Sequence, residues 1–290
     1  QSNMTTYNIP NLPLSFDLET KAVLKQLNRA NMKLAELRGV AHTIPNENIL
    51  ISTLTLQEAK DSSEVENIVT TQDDLYKAGL NVRDEIINAS TKEVLNYREA
   101  ILRGFELVKS KGILTLNMIK EIQASLVNTR AGFRSVPGTK LKRNDGVVVY
   151  VPPQEHDEIE RLMTNLEQFI NTHNDELDPL IKLAIIHHQF ESIHPFYDGN
   201  GRTGRSVSIL MLITNELLDL PILYLSRYIT RNKAEYYRLI ISALFAMLRM
   251  EASAKPCSLN SSIEADKILS RISLFKYCIN TLLCEYILTQ

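Results

Sequence analysis

Apolar residues recur at helical spacing along most of this chain. Over residues 18–38 (LETKAVLKQLNRANMKLAELR), Leu24, Leu27, Leu34 and Leu37 fall on one face, as in an amphipathic helix. Gly39 then marks an expected helix stop. The segment TIPNENILISTLTLQEAKDSS predicts a Pro-Asn turn into a short helix. Further helices are predicted over 72–89, 91–109, 115–128, 155–172 and 178–191, the second starting at Thr91 and ending near Gly112. One segment breaks the pattern. GTKLKRNDGVVVYVPP carries Asn-Asp-Gly between two short runs, a hairpin signal. VVVYV has strand composition, and Pro152-Pro153 ends it. A small β-hairpin over roughly residues 137–151 on an all-α body is the expected architecture, with no strong boundary before residue 245.

Composition narrows the classes of function. With 290 residues, 44% hydrophobic and 23% charged, the chain can bury a substantial core as an ordinary globular protein. A net charge of -2 gives no basic excess for tracking nucleic-acid phosphates. No apolar run approaches the roughly 18–20 residues of a membrane span. Gln1-Ser2-Asn3 ahead of Met4 reads as an expression remnant, and no signal peptide is expected. Cys257, Cys278 and Cys284 are odd in number and lack metal spacing, which suits reduced thiols in the cytoplasm.

The chemistry concentrates in residues 194–205, HPFYDGNGRTGR, which hold three of the ten glycines. Gly199, Gly201 and Gly204 match G-x-G-x-x-G, but a helical pattern precedes them, not a buried strand, so a dinucleotide fold is not expected. A P-loop is excluded because no Gly-Lys-Ser/Thr follows. Glycines before a helix N-terminus still let N–H groups converge on a phosphate. Arg202 and Arg205, three apart, are expected to point to one side and fork onto phosphate oxygens. Asp198 would repel a bare anion there but suits Mg²⁺ between itself and phosphates. His194 can take a proton from an incoming hydroxyl. Together these predict a nucleoside-triphosphate site doing phosphoryl or nucleotidyl transfer. His187 and His188 lack the spacing and fourth ligand of a zinc site and are read as core or helix-surface residues.

HPFYDGNGRTGR fits the Fic motif, HPFx(D/E)GNGRxxR, at every specified position. The resemblance covers roughly residues 10–240, including AGFRSVPG and VYVPPQEHDEIERLMTNLEQFI around the flap and YLSRYITRNKAEYYRLI after the motif helix. It implies a Fic fold, a helical bundle with a β-hairpin flap, and transfer of AMP from ATP to a hydroxyl of a target protein. His194 would be the general base and Asp198 the Mg²⁺ ligand. Gly199, Asn200 and Gly201 would form the anion hole, with Arg202, Thr203, Gly204 and Arg205 on the turns that hold the phosphates. Val147, Val148, Val149 and Tyr150 would form the flap edge that docks the target, and Tyr236 would sit by the adenosine. The target can be the protein itself, and a homodimer is compatible with the family.

Ser62, Glu66 and Asn67 match the family's inhibitory motif, (S/T)xxxE(G/N), and resemble the class with an N-terminal inhibitory helix. Glu66 would pair with Arg205 and turn it from the γ-phosphate. Three regions are expected: residues 4–90 with the inhibitory helix, a core over 91–245, and a helical tail over 246–290. The tail departs from the family, whose members usually continue with a Trp-rich segment, whereas this chain has no Trp. Two other functions are weighed: hydrolytic removal of AMP with Glu66 positioning water, and a non-catalytic nucleotide-binding partner protein. The intact His194 and Asp198 argue against the second.

Overall fold

The computed structural model describes residues 9–15, 18–79, 87–142, 146–172 and 177–241. The expected tail over 246–290, with all three cysteines, lies outside the described residues.

Helix α1 (Lys21–Ala41) starts at Thr20, whose side chain accepts from the Val23 N–H. Such a cap contributes about 1 kcal/mol. Leu27, Ala30 and Leu34 face the core, but Leu24 is exposed. Gly39 does not stop the helix, contrary to expectation; nothing crowds it, and the turn ends instead just ahead of Pro45. The residue before a proline is biased away from helical backbone.

Helix α2 (Glu47–Val65) is 19 residues long, not short. Its buried face carries Thr55, Glu58, Ser62 and Ser63, so hydrophobicity alone understates how far it extends. Helix α3 (Gln72–Gly79) is described over part of the expected 72–89 span; residues 80–86 lie outside the described residues. Helix α4 (Ala89–Lys111) begins two residues before Thr91, because Asn88 is the cap and accepts the Thr91 N–H at 2.8 Å. It stops at Gly112, whose φ of 68° suits glycine. Helix α5 (Leu116–Val127) is capped by Thr115. The hairpin pairs β1 (Leu141–Lys142) antiparallel with β2 (Val148–Tyr150), Leu141 opposite Tyr150.

Helices α6 (His156–Asn171), α7 (Pro179–Ile193), α8 (Asn200–Thr214) and α9 (Ser226–Arg231) follow, with residues 233–241 also helical. α7 is apolar on nearly every side, as a helix enclosed by others must be. It packs on α6 and α8; α4 packs on α2, α5 and α8; α2 packs on α9. Tyr97, Ile101, Ile122, Leu162, Ile186, Phe190 and Leu210 meet in the core. Each such aliphatic side chain contributes roughly 1.5–3 kcal/mol by burial. Among the described residues no helix is long and apolar enough to cross a membrane.

Candidate active site

The packing brings the loop between α7 and α8 to the bundle's centre. His194 ends α7 in left-handed backbone, φ 50°. Asn200 shapes the turn that follows: its side chain accepts the Phe196 N–H and donates to the Phe196 carbonyl, each at 2.8 Å. Its amide is thus a loop brace, while its backbone N–H stands in the first turn of α8. Gly199 precedes α8 at φ 78°, where a Cβ would also strike Leu126. The first turn of any α-helix leaves N–H groups without intrahelical partners, a ready anion site.

Beside that turn lies a cavity of about 780 Å³. His194, Gly201, Arg205, Glu66, Glu191 and Tyr236 line it, and Leu141, Val149 and Tyr150 of the hairpin form another wall.

Arg202 and Arg205 do not act on one side as their spacing suggested. Three residues turn a helix by about 300°, only about 60° short of a full turn, so spacing alone puts both on one face; the partners that each guanidinium finds draw them apart. Arg202 reaches Glu93 on α4 at 3.1 Å and Asp198 at 3.8 Å, and it does not line the cavity. Arg205 turns to α2. Its Nε donates to Ser62 Oγ at 2.6 Å, and its Nη2 donates to the Ser62 carbonyl at 3.0 Å and to Glu66 Oε1 at 2.8 Å. Ser62 Oγ in turn donates to Tyr97 OH at 3.2 Å, so both capacities of the hydroxyl are used. Asn67 sits at φ 64°, a backbone that Asn and Gly tolerate best. Its side chain accepts from Lys233 Nζ at 2.9 Å. Gly201 makes room for the acid: a Cβ there would stand 2.2 Å from Glu66 Oε1.

The other expected residues divide clearly. Thr203 is fully buried, and Gly204 packs on Glu191 and Phe190; neither lines the cavity. Asp198 keeps a 75% exposed side chain, with Oδ1 accepting the Gly199 N–H at 2.6 Å. Tyr236 is buried against the cavity, its hydroxyl 2.9 Å from His187 Nε2. His187 and His188 are both buried, and burial pushes them down to about 3 and about 4 respectively. Val147 and Val148 are exposed, Val149 faces the cavity, and Tyr150 points inward with its hydroxyl on the Ser192 carbonyl at 2.8 Å.

Comparison with known proteins identifies the family. The Fic/DOC family N-terminal model matches residues 24–106, and the Fic/DOC family model matches residues 113–212, HPFYDGNGRTGR included. The chain belongs to the Fic/DOC family. A protein adenylyltransferase Fic of Drosophila virilis is 32% identical over 148 residues, covering 45% of this chain and 29% of that protein. The Drosophila yakuba protein of the same name is 31% identical, covering 45% and 28%. The chain thus spans less than a third of those relatives. Among solved structures, a Fic family protein from Desulfovibrio desulfuricans superposes with a TM-score of 0.61 at 19% identity, covering 89% of this chain and 87% of that one. Fic-1 from C. elegans superposes at 0.58 with 19% identity, covering 90% and 74%. These likenesses show the Fic fold.

Burial dominates the electrostatics of this Fic site. It pushes the His194 imidazole down to about 4; the Arg134 charge adds to the effect, and Glu66 and the Glu191 backbone oppose it. Burial opposes the Arg205 charge as well, yet the Glu66 carboxylate beside it holds the guanidinium well above its usual range. Glu191 is pushed up to about 7 by burial, with Arg205 opposing. Glu58 is likewise raised to about 7 by burial although Ser226 donates to it through N–H and hydroxyl, tying α2 to α9.

Sequence reasoning gave no role to Arg134, Tyr197, Glu191, Glu58 or Lys233. Glu191 sits one helical turn before His194, and that spacing was a usable signal for a shared face. Tyr197 lies in the active loop itself, whereas Arg134, Glu58 and Lys233 meet the site only through tertiary contacts.

Proposed function

We propose that this Fic protein is a self-inhibited adenylyltransferase that moves AMP from ATP to a side-chain hydroxyl of a target protein. The observation that carries this is the joining of Glu66 to Arg205 at the N-terminus of α8, in a cavity that His194 also lines. Neutral His194 takes the proton of the target hydroxyl as its oxygen attacks the α-phosphorus. The bond from the α-phosphorus to the bridging oxygen breaks, and pyrophosphate leaves. The free N–H groups at the start of α8 hold the developing negative charge. Tyr236 lines the side of the cavity given to the nucleoside. The target adds as a strand along β2, where Val148 is exposed. The acceptor can belong to the same chain. Residues 4–90 are the regulatory part of this scheme and 91–245 the catalytic part.

A divalent cation fits the donors present. Asp198 offers an exposed carboxylate next to the phosphate nest, and Mg²⁺ is usually held by one or two carboxylates plus substrate phosphates. When bound, Mg²⁺ offsets charge on the phosphate oxygens. Asp198→Ala is therefore expected to remove nearly all transfer and its dependence on Mg²⁺. Undiminished Mg²⁺-dependent transfer would remove Asp198 from the metal site.

Inhibition follows from the Arg205 contacts. While Arg205 is held by Glu66 and Ser62, it cannot serve the γ-phosphate, and ATP lies in a non-productive pose. Ser62→Ala removes one of three bonds to the guanidinium. A hydrogen bond to a charged group is worth about 1.5–3 kcal/mol. Transfer by this variant should fall between wild type and Glu66→Gly; transfer equal to wild type would leave the hydroxyl out of the inhibitory contact.

A second function shares the geometry. Glu66 and His194 line one cavity, so the carboxylate could instead position water for removal of AMP. Wild-type protein incubated first with labelled ATP, then with an AMP-modified target, separates the two activities.

A further inference from the structure

Arg134 lies in the stretch AGFRSVPG and is fully buried. Among the described residues it has no acidic hydrogen-bond partner, unlike Arg202 and Arg205. Its Nε donates to the His194 carbonyl at 2.8 Å, and its Nη2 donates to the Ile193 carbonyl at 3.2 Å and to the Pro153 carbonyl. Its backbone joins the same cluster. The Arg134 N–H donates to the Pro195 carbonyl at 2.8 Å, and the Arg134 carbonyl accepts from His156 Nδ1 at 3.0 Å.

One side chain thus ties the end of α7, where the base sits, to the exit of the flap. A cation suits that place, because carbonyls at a helix C-terminus carry partial negative charge. Two further ties run in parallel. Tyr150 OH donates to the Ser192 carbonyl, and Tyr197 OH accepts the N–H groups of Ser135 and Val136 at 2.8 and 3.0 Å. Flap entry and flap exit are each pinned to the loop that carries His194. His194 also holds left-handed backbone, a conformation disfavoured for a residue with a Cβ unless its surroundings fix it.

We propose that Arg134 is a positioning residue for transfer: its guanidinium fixes the His194 peptide against the flap exit at Pro153, keeping the base in register with an acceptor strand docked on the flap. This rests on the transfer reaction proposed above. Arg134 does not line the cavity, so it acts through the geometry of His194. Lysine cannot replace it, because a point charge with one nitrogen cannot span three carbonyls on two elements.

The test uses the full chain carrying Glu66→Gly, with Arg134→Lys and Arg134→Met added separately. ATP affinity is read by calorimetry, kcat and KM by transfer of labelled AMP, and the His194 ring by its NMR signals, assigned through His194→Ala. The expected result for Arg134→Lys is ATP affinity within about 2-fold of the parent and kcat lower by ~10²-fold, the usual cost of misplacing a reacting group by about 1 Å. The His194 ring signals should shift, and melting should remain cooperative. Unchanged kcat with unmoved ring signals would overturn the proposal. So would a parallel loss of kcat, ATP affinity and cooperative melting in both variants, which would mark Arg134 as a structural residue only. If the Glu66→Gly parent transfers no AMP, the reaction itself is wrong, and the ring signals alone then decide whether Arg134 positions His194.

Discussion

Glu66→Gly is expected to raise AMP transfer by ~10²-fold or more over wild type, since a nucleotide held slightly out of line loses about that much in rate. Arg205 is nearly inaccessible, and its Nη2 lies 2.8 Å from Glu66 Oε1. A hydrogen bond between two charged groups is roughly twice as strong as a neutral one. With the carboxylate gone, Arg205 keeps Ser62 and gains a face open to the cavity, while His194 and Asp198 are untouched. Glycine also suits the site, because the acid occupies space directly over Gly201. Glu64→Gly is the matched control. Glu64 is partly buried, and its ion-pair contact is to Lys60 at 3.8 Å, away from the cavity. Equal activation by both variants would trace the gain to a loosened helix and not to the freed arginine. No gain in a folded, ATP-binding Glu66→Gly protein would end the inhibitory account and favour removal of AMP.

In that activated background, His194→Ala should lower transfer by ~10²- to 10⁴-fold, the usual contribution of a general base. ATP affinity should stay nearly unchanged, because the base acts on the acceptor. The pH dependence follows from burial. The imidazole works as a base only when neutral, and its protonation is pushed down from about 6.5 to about 4. Activity limited by this group should therefore persist through pH 6 and fall only toward pH 4 or below, because the Glu66 carboxylate that opposes the shift is absent in this background. A fall centred near pH 6.5 would mean that His194 titrates as an exposed histidine. An equal loss of ATP affinity and turnover would make His194 a binding residue.

The candidate active loop was legible in the sequence because its residues are contiguous. His194, Asp198, Gly199 and Gly201 lie within eight positions, and their backbone demands are written in residue type: glycine at φ 78° in Gly199, and no side chain at Gly201 where Glu66 comes close. The contact of α2 with that loop was legible for a similar reason, since Ser62, Glu66 and Asn67 fall within six positions at the end of α2 and Asn67 marks left-handed backbone. What lay hidden depends on distant partners. Spacing suggested that Arg202 and Arg205 work as a pair, but spacing carries no information about Glu93 on α4 or Ser62 on α2. α2 seemed short because its buried face is polar, and two of its polar groups find partners far along the chain, Glu58 with Ser226 and Ser62 with Arg205. Arg134 was the least visible: its partners are backbone carbonyls, which leave no trace in side-chain pattern.

The most direct test of the central claim compares two labels on one substrate. Glu66→Gly protein is incubated with Mg²⁺ and ATP labelled at the α-phosphate, and in parallel with ATP labelled at the γ-phosphate, and protein-bound label is counted after denaturation. Transfer of AMP predicts stable incorporation of the α label, none of the γ label, and loss of the α signal when His194 is also replaced by Ala. Incorporation of the γ label would show phosphoryl transfer instead, and no α label on this protein or on any added target would contradict an adenylyltransferase.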